Sequence, residues 1–418
     1  MRYVLGIDVG GSRTTAAVSR YNGDAWDEAQ PLTLDGDRFV ESVLYLSPDG
    51  VLAGREARQA GSLDPSRLAS GFLRRIGDDV PYVLGDVYYG AETLTAALAG
   101  WVADRAAEQE GGEPTRIAVT HPPDWGGYRR SLLHDALDAA GLPGALLLPS
   151  PVAVAEDYRA RAELEAGAVL AVCRVGGEQV ESTALRRTSG GFELLGQSSA
   201  TDPLGGTRLD DLVSDHVLGR LGAPEPGPGE LVELRLACIA AKERLSAVAE
   251  VTVPVPFAPV GGILLHRAEF ERLVRPTVEM IVAQLNGIVA AVPGDRLAAV
   301  VPAGGGARVP LVTQLLQDAL DCAVDVEADP GHALCRGAAV AARPPARARV
   351  LDEQPRPSTS LVTQSRELPI PSLDDDAELG EPPPRPPVEI TPLHPPRQRF
   401  GRGRRAAATS TETTRQKT

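Results

Sequence analysis

RYVLGIDVGGSRTT, Arg2–Thr15, is the stretch that decides the fold. An apolar run ends in Asp8, a glycine turn follows at Gly10 and Gly11, and then come Ser12, Arg13 and a second β-rich run. A β-hairpin of this form cradles phosphates, because glycine lets backbone N–H groups approach an anion closely. Asp8 is the candidate for holding a hydrated metal ion. Two later stretches extend the reading. CIAAKERLS, Cys238–Ser246, contains Lys242, and the only other lysine of the chain is Lys417 in the last residues. Nearly every other cation is arginine, so a solitary lysine marks a site that needs a compact ammonium. AGGGARVP, Ala303–Pro310, places Gly304, Gly305 and Gly306 between a strand and a helix, a second anion or nucleotide turn. Singly, each has a plain alternative: a tight turn or a solvated lysine. Their order along one chain gives them weight.

With 418 residues the chain exceeds one ordinary domain and can bury a large core. Composition divides it near Arg343. Before that point, apolar runs alternate with amphipathic stretches. From Pro344 to Thr418, proline and short polar residues dominate, with PPPRPP at Pro382–Pro387. That composition predicts a disordered tail with polyproline character. The net charge is −14; the tail carries 12 basic and 10 acidic residues, which leaves −16 for residues 1–343. An acidic body excludes nonspecific nucleic-acid binding as the main role. RQRFGRGRR, Arg397–Arg405, has five arginines and suits weak contact with an anionic surface. Cys173, Cys238, Cys322 and Cys335 lie far apart and read as small buried hydrophobes of a reduced cytoplasm, with no zinc or disulfide spacing. No run reaches membrane-spanning length, and Met1-Arg2 runs directly into a strand without a leader pattern.

Periodicity predicts strands at Tyr3–Asp8, Thr15–Ser19, Val43–Leu46, Ile117–Thr120, Val169–Cys173, Val251–Pro256 and Ala298–Val301. Helices are expected at Ala91–Gln109, Tyr128–Ala140, Val152–Leu164, Leu231–Ala247, Arg267–Val292, Pro310–Leu320 and His332–Ala342. Leu94, Leu98, Trp101 and Val102 recur at helical spacing as core, while Asp210, Asp211 and Asp215 are expected to face solvent. The alternation is α/β.

The segments, taken in order, resemble the ATPase domain of the DnaK-type heat-shock protein 70 family. GIDVGGSRTTAAV looks like its first phosphate hairpin. Phe39–Leu46 with AGREA, then FLRRIGD from Phe72, resemble the outer subdomain and the segment carrying the catalytic lysine. AVTHPPDW and the helix Tyr128–Gly141 resemble the approach to the lobe crossing. SPVAVAEDY resembles the first interlobe helix, and DPLGGTRLDDL the third glycine turn. CIAAKERLS resembles the adenosine helix, HRAEFERL the helix start after it, VVPAGGGARVPLV the adenosine loop, and DPGHALCRGAAVAA the closing helix. The resemblance implies a two-lobed actin-like ATPase fold of duplicated ribonuclease H-like domains over residues 1–343. Its outer subdomain would span about 40–115 and its second lobe about 168–343, with 344–418 a Pro/Arg-rich tail in place of a client-binding domain. It implies ATP or ADP as ligand and leaves Mg²⁺ open. The implied nucleotide contacts are Gly10, Gly11, Ser12, Arg13, Arg174, Gly176, Gly177, Gly205, Gly206, Lys242, Ser246, Gly304, Gly305, Gly306 and Arg308. Asp8 is the implied catalytic and water-mediated metal residue.

Departures from the family pattern bear on mechanism. In the second phosphate loop, Arg174 replaces an acid, Glu178 a glycine and Gln179 a threonine, and Glu181 stands where a second Asp is expected. Leu73 takes the place of the catalytic lysine, with Arg74 and Arg75 beside it. Ser150 replaces the glutamate that orders the attacking water, Gly11 a threonine, Glu243 the arginine partner of Arg308, and Ile239 an acid. Phosphoryl transfer depends on positioned cations and a positioned water, so the resemblance implies a chaperone-related nucleotide binder with weak or absent hydrolysis. In this reading it works as a switch or scaffold in the cytoplasm, with an unidentified protein partner on the tail. The alternatives are an active chaperone ATPase that borrows a client-binding partner, a sugar or acyl kinase of the same superfamily, and a binding module without nucleotide.

Overall fold

Tyr3–Val9 (YVLGIDV) and Val169–Val175 (VLAVCRV) are buried at every residue. A strand apolar on both faces belongs at the centre of a sheet covered from both sides. The computed structural model describes residues 2–47, 50–199, 204–221, 226–255, 257, 261–292 and 297–344, and places each of these two strands so.

The first sheet contains β1 (Tyr3–Val9), β2 (Arg13–Arg20), β3 (Gln30–Pro31), β4 (Ile117–His121) and β5 (Leu146–Pro149), in the order β5–β4–β1–β2–β3, with the short strand Val40–Glu41 also pairing with β2. The second contains β6 (Val169–Val175), β7 (Val180–Thr188), β8 (Gly191–Ser199), β9 (Leu297–Ala303) and β10 (Ala323–Val324), in the order β10–β9–β6–β7–β8. In both, the first three strands run antiparallel and the last two add in parallel. One topology is therefore built twice. This is the two-lobed actin-like fold with duplicated ribonuclease H-like halves.

The helices are α1 (Gly54–Leu63), α2 (Ala91–Glu110), α3 (Gly127–Ala139), α4 (Ser150–Arg161), α5 (Gly206–Leu221), α6 (Pro228–Leu245), α7 (Arg267–Ala290), α8 (Pro310–Ala319) and α9 (Ala333–Ala342). Two of them exchange lobes. The α4 helix follows the first sheet but packs Val154 and Ala155 with Leu170 and Val172 of the second. The α9 helix follows the second sheet but packs Cys335, Ala338 and Ala339 with Val4, Ala17 and Ala118 of the first. They cross at Gly337, where a Cβ would lie 2.6 Å from the Ala153 carbonyl carbon and 3.0 Å from Asp157 N. Only glycine permits that approach. Beside it, Arg336 donates from Nε and Nη2 to the two oxygens of Asp157 at 2.8 and 2.9 Å, a bidentate pair in which both residues are buried. The crossing holds the lobes at a fixed spacing around the cleft between the sheets.

Several expectations are corrected. Asp210 does not face solvent; it is buried and ion-paired to Lys242 at 2.6 Å. Asp211 is half-buried against Arg235, and of the three only Asp215 is exposed. Cys173, Cys238 and Cys335 are buried, but Cys322 is only partly so. The hairpin β7–β8 and helix α5 lie where no element was expected, and α4 begins at Ser150, with Pro151 in its first turn. The strand expected to Pro256 ends at Pro254, and residue 256 lies outside the described residues. The disordered tail expected over 344–418 falls on residues of which only Pro344 is described. Among the described residues no helix is long and apolar enough to cross a membrane.

Candidate functional site

Because the two sheets repeat one topology, their first hairpins present equivalent turns. β1 passes into β2 through Gly10, Gly11 and Ser12, closed by Gly10 N donating to Arg13 O at 3.1 Å. Ser42 braces this turn, donating from Oγ to Gly10 O at 2.6 Å and from N to Ser12 O at 3.0 Å. β6 passes into β7 through Gly176, Gly177, Glu178 and Gln179, closed by Gly176 N donating to Gln179 O at 2.9 Å. The turns touch: a Cβ on Gly177 would lie 3.0 Å from Ser12 Cβ, and one on Gly11 would lie 2.5 Å from Glu178 Oε2.

The third glycine turn closes on the second. Gly206 N and Thr207 N, at the start of α5, donate to Gly176 O (2.9 Å) and Gly177 O (2.7 Å). Amides at a helix N-terminus are the natural donors to an anion. Here the neighbouring turn's carbonyls take two of them. Lys242 reaches the same place from α6, donating to Gly206 O at 3.3 Å while paired with Asp210. Burial pushes the Asp210 carboxyl above the usual carboxylate range, and the Lys242 charge opposes that rise. Ser246 caps α6 one turn beyond Lys242, on the same face.

At the floor stands a charged group flanked by two acids. Arg174, near the end of β6, donates from Nη1 to Glu181 Oε1 at 2.6 Å, and Ser150 Oγ donates to Glu181 Oε2 at 2.5 Å. Arg174 Nε is buried without a hydrogen-bond partner. Asp8 is buried on the neighbouring lobe, its Oδ1 accepting from Thr120 Oγ1 at 2.5 Å. Burial works against the Arg174 charge, but Glu181 and Asp8 outweigh it and hold the proton more firmly than usual. Burial also pushes the Glu181 carboxyl up, against Arg174 and Ser150. The ion-pair geometry identifies the charged pair as the resting form.

Ion pairs join elements of the first half to the second across the cleft mouth. The Arg13 guanidinium lies 4.0 Å over the Phe39 ring and 2.6 Å from Glu243 of α6. Arg74 Nε lies 3.0 Å from Glu178 Oε2, off the hydrogen-bond axis, so this buried oxygen is charge-paired without an aligned donor. Arg75 turns away to Asp78, the Val80 carbonyl and the Tyr82 ring, and Leu73 is buried in the core. The Gly304–Gly306 turn packs on Val175, a Cβ on Gly304 (φ 84°) falling 2.6 Å from the Val175 carbonyl oxygen. From the end of that turn Arg308 pairs with Asp329 at 2.5 Å. Burial alone would raise the Asp329 carboxyl, but His332 and Arg308 donate to it and hold it well below the usual carboxylate range.

A family model described as "Hsp70 protein" matches residues 80–344, more than half of the chain. The chain belongs to the Hsp70 family. Among similar proteins, "Chaperone protein HscA homolog" of Tolumonas auensis is 29% identical over 371 residues, covering 82% of this chain and 58% of that protein. The HscA homolog of Azotobacter vinelandii is 30% identical over 82% of this chain and 57% of its own length. "Chaperone protein DnaK" of Endomicrobium trichonymphae is 26% identical over 82% and 57%. This Hsp70-family chain thus spans less than two thirds of the chaperones it matches.

The Hsp70 frame shows which contacts sequence reasoning missed. Asp210 as the partner of Lys242, Asp329 and His332 as the anchors of Arg308, and the reach of Arg74 rather than Arg75 are all tertiary facts. Asp210 carried one signal: it lies one helical turn from Gly206, on the face that meets α6. Gly11 and Glu178 were each noted as departures, but their contact was not readable from two positions so far apart. Among the described residues no group of three or more His, Cys, Asp or Glu side chains is placed to hold a metal ion.

Proposed function

We propose that this Hsp70-family chain is a chaperone-related nucleotide-binding protein with weak or absent ATP hydrolysis, working as a switch or scaffold. Residues 1–343 form its nucleotide domain, and the proline-rich residues 344–418 serve contact with a partner protein in the cytoplasm. Gly10–Arg13, Gly176, Gly177, Gly205 and Gly206 are the candidate phosphate contacts. Lys242, Ser246, Gly304–Gly306 and Arg308 are the candidate adenosine contacts.

One observation carries the reading: the buried Arg174–Glu181 pair, with Ser150 on its far side and Asp8 facing it. A guanidinium beside Asp8 repels a divalent cation, so these residues do not fit Mg²⁺ there. Arg174, its charge already opposed by Glu181 and Asp8, keeps an unpartnered Nε as its candidate donor to a phosphate oxygen. It cannot polarise a water as a metal does. Ser150 spends its hydroxyl on Glu181 and itself brings no carboxylate to orient an attacking water. Leu73 brings no charge. Binding is thus favoured over turnover.

The test is calorimetric titration of the full chain with ATP and ADP, with Mg²⁺ and with chelator, beside a Lys242→Ala variant and a phosphate-release assay. Binding that is unchanged by chelator, lost in Lys242→Ala and accompanied by little phosphate release is expected. Turnover that needs Mg²⁺ refutes the weak-hydrolysis reading. Absence of binding to folded protein refutes nucleotide recognition.

A further inference from the structure

Glu178 stands at the tip of the β6–β7 turn with Oε2 fully buried. It fills space against the first hairpin, where a Cβ on Gly11 would lie 2.5 Å from Oε2 and 2.9 Å from Cδ. Its charge is met by Arg74, Nε to Oε2 at 3.0 Å. A carboxylate therefore already sits between two glycine turns and an arginine, the surroundings an oxyanion of a ligand would seek.

The contacts order the cleft. Lys242 touches Gly206, Gly206 and Thr207 bond Gly176 and Gly177, Gly177 abuts Ser12, and beyond them Glu178 abuts Gly11 and Arg74. Lys242 marks one end and Glu178 the other. If adenosine lies at the Lys242 end, the group farthest from it meets Glu178. We infer that Glu178 takes the seat of a terminal phosphoryl group, so that this site accepts a nucleoside diphosphate and rejects a triphosphate. The inference rests on the nucleotide reading above and assigns its ligand class.

The physical reason is exclusion by charge and bulk together. A third phosphoryl group would meet a carboxylate of its own sign, in a place where Arg74 is already charge-paired and the Glu178 side chain fills the space against Gly11. A built-in like charge is a repulsive element of the kind by which sites discriminate against a competing ligand. A diphosphate stops short of that seat and keeps Arg174, Lys242 and the remaining turns.

The experiment titrates the full chain, Glu178→Gln and Glu178→Gly with ADP and ATP in chelator, with a thermal melt of each protein. Wild type should bind ADP about tenfold or more tightly than ATP, a difference of about 1.4 kcal/mol. Glu178→Gln, which keeps the bulk and removes the charge, should narrow that ratio, and Glu178→Gly should bring it near unity. If Glu178→Gly fails to fold, the isosteric Glu178→Gln still decides. Wild type binding both nucleotides equally, or a ratio unmoved by either substitution, overturns the inference while leaving nucleotide binding in place. No binding of either nucleotide to any of the three folded proteins overturns the nucleotide reading and this inference with it.

Discussion

Replacing Gly337 by alanine tests the lobe crossing directly. The added methyl would stand 2.6 Å from the Ala153 carbonyl carbon and closer still to its oxygen, against 3.4 Å for the inner edge of ordinary contact. The carbon pair alone demands a separation of roughly 0.8 Å, and the obstacle is helix backbone, which cannot rotate away as a side chain can. Nor can α9 simply retreat. Its other face lies on the first sheet, where a Cβ on Gly6 would be 2.8 Å from the Ala338 carbonyl carbon. The helix is held between two close backbone contacts. Overpacking of this kind costs about 1–3 kcal/mol, and fixed obstacles on both sides place Gly337→Ala near the upper figure. For a unit running from Met1 to Arg347, roughly 2.1 cal/mol/K per residue gives an unfolding entropy of about 0.7 kcal/mol/K. A loss of about 3 kcal/mol then lowers the melting temperature by about 4 °C. Differential scanning calorimetry of wild type and variant reads this directly. A Gly337→Ala protein that melts within a degree of wild type would refute the claim that the crossing is closed at this contact.

Two further outcomes are expected. Arg336→Ala leaves Asp157 buried with only the more distant Arg161, whose Nε is 3.4 Å away, so urea unfolding should show a loss of about 3 kcal/mol, the lower part of the range for a broken buried pair. Arg336→Lys should not restore it, because a lysine lacks the two-pronged geometry; a loss below about 1 kcal/mol in the alanine variant would disprove the role. Acid is the other probe. The Asp329 carboxyl binds its proton less readily folded than unfolded, so its stabilisation is complete above the ordinary value of 3.8 and drains away as pH falls below it. Asp329→Asn should flatten the acid limb of the stability profile, and an acid limb as steep as that of wild type would contradict this linkage.

The central strands were legible because the runs around Tyr3 and Val169 are almost wholly apolar, and the glycine turns because glycines cluster there between a strand and the next element. The β7–β8 hairpin was not. VESTALRRT mixes charge and hydroxyls with apolar residues: Glu181, Ser182 and Thr183 are all buried, Glu181 in its pair with Arg174. Its polarity belongs to the site, and a period-based reading discounts it. Asp210 failed for a related reason: an acid on a helix reads as surface until its ammonium is found on another helix. Side-chain reach was also invisible. FLRRIGD offers two adjacent arginines, and only the fold decides that Arg74 reaches Glu178 while Arg75 packs under Tyr82.

The departures from the Hsp70 pattern form compensating sets. Arg174, Glu181 and Ser150 make one connected group, in which both Glu181 oxygens are bonded and only Arg174 Nε is left without a partner. Glu178 and Gly11 make another, since the carboxylate occupies the space a side chain at position 11 would enter and would have to move to admit one. Glu243 finds its cation in Arg13 across the cleft. A site that had merely decayed would leave buried charges unmatched, each at a cost of several kcal/mol. Here the replaced charges meet opposite charges, two of them by pairing elements of the two halves. Both cross-cleft pairs are partly exposed, so each contributes on the order of 0–1 kcal/mol. In the proposed diphosphate site the Arg74–Glu178 pair persists when ligand binds, so it acts on the choice of ligand rather than on its entry.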